Sequence, residues 1–446
     1  MVLPKFAKQF DFDDWSFDHH SGELRLNYQL EKYGKVTERY HFGAISGERF
    51  LGIQVALKKA IQLLHWMAGV SYYKTGLAQD IVFTGELPNR SAASWLQQTW
   101  YHGLGELAYQ HGISLADHIQ VRSTDNQWHP EPIELQPRSL VAIGGGKDSL
   151  VSIELLKQHG EDISLFMVGQ SEFIESVAAT TDCSLLQVKR YLDPRLGEIN
   201  ADDVFNGHVP ITAINNCVAA IAALLHDYDA VVFSNEASAN QPNVITEAGE
   251  QINHQYSKSF AYEQQWQKLI HDYITPDLKV FSLLRPFSEL AIVRYFSQLS
   301  EYFPVFSSCN RNFHLAGSQN QHGHWCGQCP KCHFVFLILA PFVDQKTVLA
   351  IFKNNFLDDV SNEQSFRELL GLSGIKPFEC VGEIHESRLA LQWLSEHPDW
   401  IDVKLVQVLS SEIEIVCEDE IEDMMSFHDV HLIPNRFLSA LDKMRR

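Results

Sequence analysis

The sequence predicts an α/β protein built on a parallel, doubly wound sheet. From residue 138 to about 300, short apolar runs alternate with longer runs whose apolar residues have helical spacing. Strands that alternate with helices of ten or more residues are typical of parallel sheets. The first strand–helix unit contains three consecutive glycines, Gly144 to Gly146, followed by a lysine, an aspartate and a serine. Because ligands of such sheets bind beyond the carboxyl ends of the strands, this turn is the first place to look for a site.

An N-terminal α+β domain is predicted for residues 1–136. Alternating apolar and polar residues that break at Tyr33-Gly34-Lys35 indicate a hairpin. Three prolines at 130, 132 and 137 mark the joint to the next region. The elements expected before this joint are strands at 23–30, 36–43 and 81–83 and helices at 51–67 and 91–111.

The central domain is predicted to cover residues 137–343, and a mostly helical region to cover 344–446. The expected strands of the central domain are 139–143, 163–168, 185–188, 230–234 and 279–283. The expected helices are 148–158, 172–180, 211–226, 256–273, 287–299 and 334–342.

The charge and hydropathy of the sequence limit the classes of function that it can have. The 446 residues carry 35 Lys and Arg against 56 Asp and Glu, a net charge of −21, which disfavours nucleic acid as a partner. The N-terminus has no apolar core of a signal peptide, and no stretch reaches the length of a membrane span. We therefore expect a cytoplasmic protein without membrane insertion, whose eight cysteines are reduced or metal-bound.

The glycine turn is suited to phosphate. A strand that leads into a helix through glycines directs free N–H groups and the positive end of the helix dipole at one point. The turn fits neither the Walker pattern nor the dinucleotide-binding pattern. It resembles the pyrophosphatase loop SGGxDS of adenylating enzymes, with Gly144 in place of the serine. We expect ATP, with Mg²⁺, to bind at Gly144, Gly145, Gly146, Lys147, Asp148 and Ser149.

Four cysteines have metal-ligand spacing. Cys326, Cys329 and Cys332 form a C-x2-C-x2-C motif, and Cys309 precedes it. Four thiolates would close a structural zinc site, although an iron–sulfur cluster and metal-free cysteines also fit this spacing. The neighbouring histidines 322, 324 and 333 are not expected to be ligands.

Other polar groups give weaker signals. Glu236, Asn240 and Asn243 follow a predicted strand, and His254, Tyr256 and Lys258 open a predicted helix. Arg285 and Arg311 are candidate clamps for a carboxylate or phosphate. Cys380 is harder to place, because it could be buried or active.

The glycine turn and the late cysteine motif together resemble 7-cyano-7-deazaguanine synthase and its relatives in the pyrophosphatase-loop superfamily. That family is about half as long and lacks the N-terminal domain. The whole chain is more similar to the ATP-dependent UDP-N-acetylmuramoyl-L-alanyl-L-glutamate epimerase family. The segments that carry this resemblance are GVSYYKTG (69–76), IGGGKDS (143–149), NGHVPITA (206–213), SNEASANQPN (234–243), NHQYSKSFAYE (253–263), WCGQCPKC (325–332) and KPFECVG (376–382).

The resemblance implies inversion of the terminal L-glutamate of a UDP-muramoyl dipeptide to D-glutamate, with ATP converted to AMP and pyrophosphate. The adenylated carboxylate would accept the charge that develops when the α-proton leaves. The residues that move the proton are not identified, and the candidates are Glu236, His254, Tyr256, Lys258 and Cys380. The alternatives are another adenylating ligase, a tRNA-thiolating enzyme, and a nucleotide-binding scaffold without catalytic activity.

Overall fold

The computed structural model describes residues 4–313 and 325–445, a mixed α/β protein with one large, mostly parallel sheet. Its strands are β1 Gln9–Asp18, β2 Glu23–Leu30, β3 Gly34–His41, β4 Asp80–Phe83, β5 Ser139–Ala142, β6 Ile163–Val168, β7 Leu185–Tyr191, β8 Ala230–Phe233, β9 Val244–Ile245, β10 Gln251–Ile252 and β11 Lys279–Ser282.

Helices occur throughout the described chain. They are α1 Gly47–Ala68, α2 Val70–Tyr73, α3 Arg90–Gly103, α4 Gly105–His111, α5 Lys147–His159, α6 Glu172–Ala179, α7 Leu196–Ala201, α8 Ile211–His226, α9 Phe260–Leu269, α10 Glu289–Phe296, α11 Pro330–Leu339, α12 Gln345–Phe352, α13 Glu363–Leu369, α14 Ile384–Glu396, α15 Lys404–Ser410, α16 Glu418–Met425 and α17 Asn435–Leu438. Within residues 4–313 and 325–445, no helix combines the length and the apolar content that a membrane crossing requires.

The predicted parallel sheet is confirmed. Five strands pair in parallel in the order β11-β8-β5-β6-β7. From β5 the chain first moves to β6 and β7 and then returns to the other side of β5 with β8 and β11. The direction of strand addition therefore reverses between β5 and β8. A crevice opens at the carboxyl ends of such a pair, and ligands of open α/β sheets bind there.

Helices cover both faces of this sheet. Successive residues of a strand, whose side chains point to opposite faces, pack in two different hydrophobic clusters. Leu140 of β5 packs in one hydrophobic cluster with residues of α1 and α8, whereas Val141 packs in the other with residues of α5, α10 and α11. Val231 and Val232 of β8 divide in the same way. Two buried faces explain why these strands are apolar throughout rather than alternating.

The N-terminal strands extend the same sheet. β3 pairs antiparallel with β7 through Arg39↔Tyr191 and Tyr40↔Arg190, and the order continues β3-β2-β1-β4. The predicted hairpin is β2 and β3. β1 was not predicted, because acidic residues are uncommon in strands; its register shifts between Phe12 and Trp15. The domain division at residue 136 stays a prediction, since the sheet runs across it.

Two predicted helices are wrong in extent. The helix predicted at 91–111 is divided at Leu104 into α3 and α4. The helix predicted at 256–273 begins only after Ser259, whose side chain accepts a hydrogen bond from the Tyr262 N–H, and its last turn is a π-helix at Ile270–Ile274. Tyr256 and Lys258 instead lie in a separate 3₁₀ turn before the cap.

Candidate active site

The glycine turn lies at the carboxyl end of β5 and leads into α5. Gly145 has a φ of +79°, which glycine adopts without strain, and its carbonyl accepts a hydrogen bond from the Ser307 N–H at 3.0 Å. Gly146 is the N-cap of α5 and supplies no side chain to cap it. Gly144 is exposed, with open space where a Cβ would lie. The first N–H groups of α5 therefore have no side-chain cap, which suits an anion.

The polar side chains of the glycine turn are wholly or partly buried. Lys147, only 1% exposed, forms ion pairs with Asp148 and with Glu289 at the start of α10. Burial opposes the charged form, yet these two carboxylates raise the pKa of Lys147. The Ser149 hydroxyl donates to the Gly146 carbonyl at 2.9 Å. In this arrangement the Lys147 ammonium contacts protein carboxylates.

Glu289 is the centre of a buried charge network. Its second carboxylate oxygen lies 3.7 Å from Nζ of Lys331 in α11, and its N–H donates to Glu386 of α14 at 2.5 Å. Burial alone would raise the pKa of Glu289, but Lys147 and Lys331 lower it. Burial and the charge of Glu289 raise the pKa of Glu386 to about 8. A buried carboxylate in such a network is stabilised only while its cationic partners are in place.

The loop after β8 connects two polar segments, the turn at 253–258 and the segment at 376–382. Asn243 accepts a hydrogen bond from the His254 N–H at 2.9 Å and donates to the Pro377 carbonyl at 2.6 Å. The 376–382 segment is thereby held against the 253–258 turn. Asn240 accepts from the Phe260 N–H at 2.7 Å, so it also has a connecting role.

Arg285 connects two candidate residues through their backbones. It donates to the carbonyls of Glu236 at 2.6 Å and of Lys258 at 2.5 Å, and pairs with Glu263 at 2.8 Å. Its guanidinium is thus occupied within the protein and 2% exposed. Arg285, a candidate to bind a substrate carboxylate or phosphate, therefore binds the loops of the site instead.

Three of the predicted catalytic residues come together. The Cys380 sulfur lies 3.0 Å from Nζ of Lys258, and the His254 imidazole is close enough for the thiol and the ring to shift each other's pKa. Nδ1 of His254 lies 2.5 Å from Oε2 of Glu106 in α4. The His254 ring also packs against His208, with 4.0 Å between ring centroids.

These contacts set the charges of the group. Burial opposes ionisation of the Cys380 thiol, but Lys258 and His254 lower its pKa to about 5. Burial opposes the charged imidazole, but Cys380 and Glu106 raise the pKa of His254 to about 9. Burial and the charges of His254 and Lys258 lower the pKa of His208 to about 3. At neutral pH the site therefore holds a thiolate, an imidazolium and an ammonium, with a neutral imidazole beside them.

Lys258 joins this group to the glycine turn. Besides Cys380 and Glu236, the charge of Asp148 contributes to raising its pKa, after the opposing effect of burial. Glu236 is 7% exposed, and burial together with the charges of Glu289 and Asp148 raises its pKa. The two buried networks thus form one cluster beside the carboxyl ends of β5 and β8.

Two family models cover most of the chain. The model described as the MurL N-terminal domain matches residues 1–283, and the model described as the MurL C-terminal domain matches residues 305–424. The chain belongs to the MurL family. The boundary between the two models lies after β11, so the five parallel strands fall within the first.

Curated relatives agree with this assignment. A protein of Xanthomonas oryzae pv. oryzae named UDP-N-acetyl-alpha-D-muramoyl-L-alanyl-L-glutamate epimerase is 39% identical over 432 residues, 95% of each chain. Relatives with the same name from Salinispora tropica and a Micromonospora species are each 37% identical, over 90% of this chain and 88% and 90% of their own.

In this MurL-family chain, Tyr256 stands apart from the other candidates in its contacts. Its ring stacks on His102 with 4.4 Å between centroids, and burial raises its pKa. Among the described residues, its ring contacts are with His102 and Tyr262. Its role as a base stays a prediction, and its neighbours are those of a packing residue.

The four cysteines converge as the spacing predicts. One sulfur from each of Cys309, Cys326, Cys329 and Cys332 lies within 4.8 Å of the others, with Cys329 and Cys332 3.4 Å apart. His333 is hydrogen-bonded to Ser365 at 2.7 Å and to the Gly327 carbonyl at 3.1 Å, so it is not a ligand. His322 and His324 lie outside the described residues.

Several residues of the buried titratable cluster were not predicted from the sequence. Each is charged or titratable and each is contributed by a segment far from the glycine turn: Glu106, His208, Glu289, Lys331, Lys376 and Glu386. The only available signal was position, since Lys376 begins the KPFECVG segment and His208 lies in a loop that follows a predicted strand. Arg311 contacts Gln328 at 2.8 Å, beside the cysteines rather than the turn.

Proposed function

We propose that this protein inverts the terminal L-glutamate of a UDP-N-acetylmuramoyl-L-alanyl-L-glutamate precursor to D-glutamate, and that it activates the carboxylate with ATP. By family membership the chain is an isomerase. The observation that carries the mechanism is the uncapped, glycine-lined start of α5 at the reversal of strand order, next to a buried cluster of titratable side chains. This combination supports a pyrophosphatase-loop fold.

Activation solves the chemical difficulty of the reaction. Removal of the α-proton beside a free carboxylate would place two negative charges on neighbouring atoms. In an acyl adenylate the carbonyl accepts the electron pair as an enolate instead. Lys258 and Lys331 are ammonium groups of the cluster, the first partly buried and the second 6% exposed. Cations held in such surroundings stabilise an oxyanion more strongly than water does.

ATP binding is assigned to the turn. The N–H groups of Lys147, Asp148 and Ser149 would hold phosphate oxygens, and the open face at Gly144 would admit the phosphate chain. The Asp148 carboxylate, 24% exposed, would hold Mg²⁺ together with those oxygens. Neutralisation by Mg²⁺ favours the departure of pyrophosphate.

Zinc fits the four cysteines. A tetrahedron with Zn–S bonds of about 2.3 Å has edges of about 3.8 Å, and the Cys326–Cys332 and Cys329–Cys332 sulfur pairs are 3.7 and 3.4 Å apart. An iron–sulfur cluster would distribute the four thiolates over two or four iron atoms and spread them farther. The cysteines hold the start of α11, so zinc would stabilise the turn from which Lys331 reaches Glu289.

The test is ATP–pyrophosphate exchange that depends on the muramoyl dipeptide, combined with reaction in D₂O. We expect α-deuterium and D-glutamate only when ATP is present. Asp148→Asn and Ser149→Ala should lower exchange and epimerisation together, by about 10²–10³ for loss of one contact to the reacting phosphates. The control Asp162→Asn changes an exposed carboxylate and should have no effect.

α-Deuterium in the absence of ATP would contradict the activation mechanism. Exchange without the dipeptide would favour another adenylating ligase, and the absence of exchange would favour a binding scaffold.

A further inference from the structure

The contacts of Cys380 form a chain of three side chains. The thiol neighbours His254, whose charge lowers the pKa of Cys380, and His254 Nδ1 lies 2.5 Å from Glu106 Oε2. Glu106 is itself fixed by Gln110, whose amide donates to Oε1 at 2.9 Å. A nucleophile, an imidazole and a carboxylate that orients the imidazole are the pattern of covalent catalysis. Lys258, 3.0 Å from the sulfur, adds a second cation beside the thiol.

We propose that Cys380 is a nucleophile that receives the acyl group from the adenylate and carries the substrate as a thioester while its α-carbon is inverted. This inference rests on the proposed function and specifies its middle step. The Cys380 thiolate attacks the acyl carbon, the C–S bond forms, and the C–O bond to the phosphate of AMP breaks with both electrons remaining on AMP. After inversion, water hydrolyses the thioester to the carboxylate and the thiolate and releases two protons.

The charges favour attack on carbon over removal of the α-proton by this group. A base is most effective when its pKa is near the working pH, and a thiolate with a pKa of about 5 is too weak a base for that step. Thiolates are nevertheless strong nucleophiles. The thioester keeps the α-proton acidic, because sulfur donates little electron density to the carbonyl. Glu236 and His254 remain available for proton transfer.

The position of the Cys380 thiol suits transfer of the acyl group from the adenylate to sulfur. Nζ of Lys258 lies 3.0 Å from the Cys380 sulfur, and the charge of Asp148 in the glycine turn also helps to raise the pKa of Lys258. Glu106 acts through His254 and is a positioning residue. One side-chain nitrogen or oxygen atom from each of Glu106, His208 and His254 lies within 4.8 Å of the other two. The His254 imidazole is therefore closely confined.

Exchange of label between AMP and ATP is the decisive measurement. If a thioester forms, AMP leaves before the acyl group is hydrolysed, so added labelled AMP can return through the adenylate to ATP. The assay contains the full-length protein, Mg²⁺, ATP, pyrophosphate, labelled AMP and the L-glutamate dipeptide. We expect dipeptide-dependent label in ATP. ATP–pyrophosphate exchange without ATP–AMP exchange would overturn the thioester and leave the proposed function intact; loss of both would overturn the proposed function.

Variants test the residue assignment. Cys380→Ser should keep ATP–pyrophosphate exchange and lose ATP–AMP exchange to background, whereas the matched control Cys417→Ser, at an exposed cysteine, should keep both. Retention of ATP–AMP exchange in Cys380→Ser would overturn the proposal. If that variant loses both exchanges, peptide mapping of quenched wild-type protein decides: an acyl group on Cys380 supports the thioester, and one on another residue overturns it.

Glu106→Gln tests the positioning role. It should slow ATP–AMP exchange and raise the pH midpoint for alkylation of Cys380 by iodoacetamide, a shift that loss of packing alone would not produce. An unchanged midpoint would contradict the role of Glu106. A metal ion bound in addition to that of the four cysteines, and lost in Glu106→Gln, would overturn the triad because it would show a metal site there.

Discussion

Gly145→Ala tests whether backbone geometry builds the glycine turn. At its φ of +79° a residue with a Cβ is strained by about 1–2 kcal/mol. The added Cβ would also lie 2.6 Å from Cε1 of Phe173, so the ring must move, at a further cost of about 1–3 kcal/mol. We expect the free energy of unfolding to fall by about 2–5 kcal/mol, the sum of these two effects.

Gly144→Ala is the matched variant in the same turn. Gly144 has no positive φ, and a Cβ there would meet no atom within 4 Å. Its stability should stay within about 0.5 kcal/mol of the wild type. The new methyl group would, however, occupy the face that we assign to phosphate. Loss of one charge-assisted hydrogen bond, about 1.5–3 kcal/mol, should raise the KM for ATP about tenfold or more.

Urea denaturation followed by tryptophan fluorescence measures the first effect, and ATP dependence of dipeptide-driven pyrophosphate exchange measures the second. Equal stability of the two variants would refute the strain argument. A wild-type KM for ATP in Gly144→Ala would refute the placement of the phosphates.

Three further outcomes are expected. Cys329→Ser should release the bound metal and lower thermal stability, because a closed thiolate site contributes to folding; elemental analysis and a melting curve check this, and unchanged metal content would contradict it. Alkylation of Cys380 should be constant at neutral pH and slow as the pH falls through about 5, because only the thiolate reacts; Lys258→Met should raise that midpoint. Arg285→Met should destabilise the protein by about 3–5 kcal/mol, since it leaves Glu263 buried without its cation; denaturation measures it, and Arg285→Met combined with Glu263→Leu should recover part of the loss.

The sequence predicted the parallel strands because their apolar runs are unambiguous. Residues 163–168, for example, match β6 in both bounds. β1 was missed because four aspartates lie within it, and strand propensity depends on what each residue packs against. The division of the 91–111 helix was missed, although glycines at 103 and 105 flank the break at Leu104. Gly103 packs against Pro210, where a Cβ would lie 2.6 Å from the proline ring.

The site was predicted where its residues lie in one segment. The glycine turn and the cysteine motif could be read directly, since spacing alone brings those residues together. Glu106 and Glu289 could not, because an isolated glutamate in a helix looks like surface. Only the packed fold shows that each is a partner of a buried cation, and burial is what gives such a residue its role.

The contacts of Cys380 also have a consequence for synthesis of the chain. Glu106 and His254 are 148 residues apart in sequence, and Lys258 and Cys380 are 122 apart. A nascent chain on the ribosome, which elongates by about 5–20 residues per second, therefore completes the five parallel strands before the cysteine is added. The two cations that lower the pKa of the thiol, Lys258 and His254, are therefore synthesised before the cysteine that they activate.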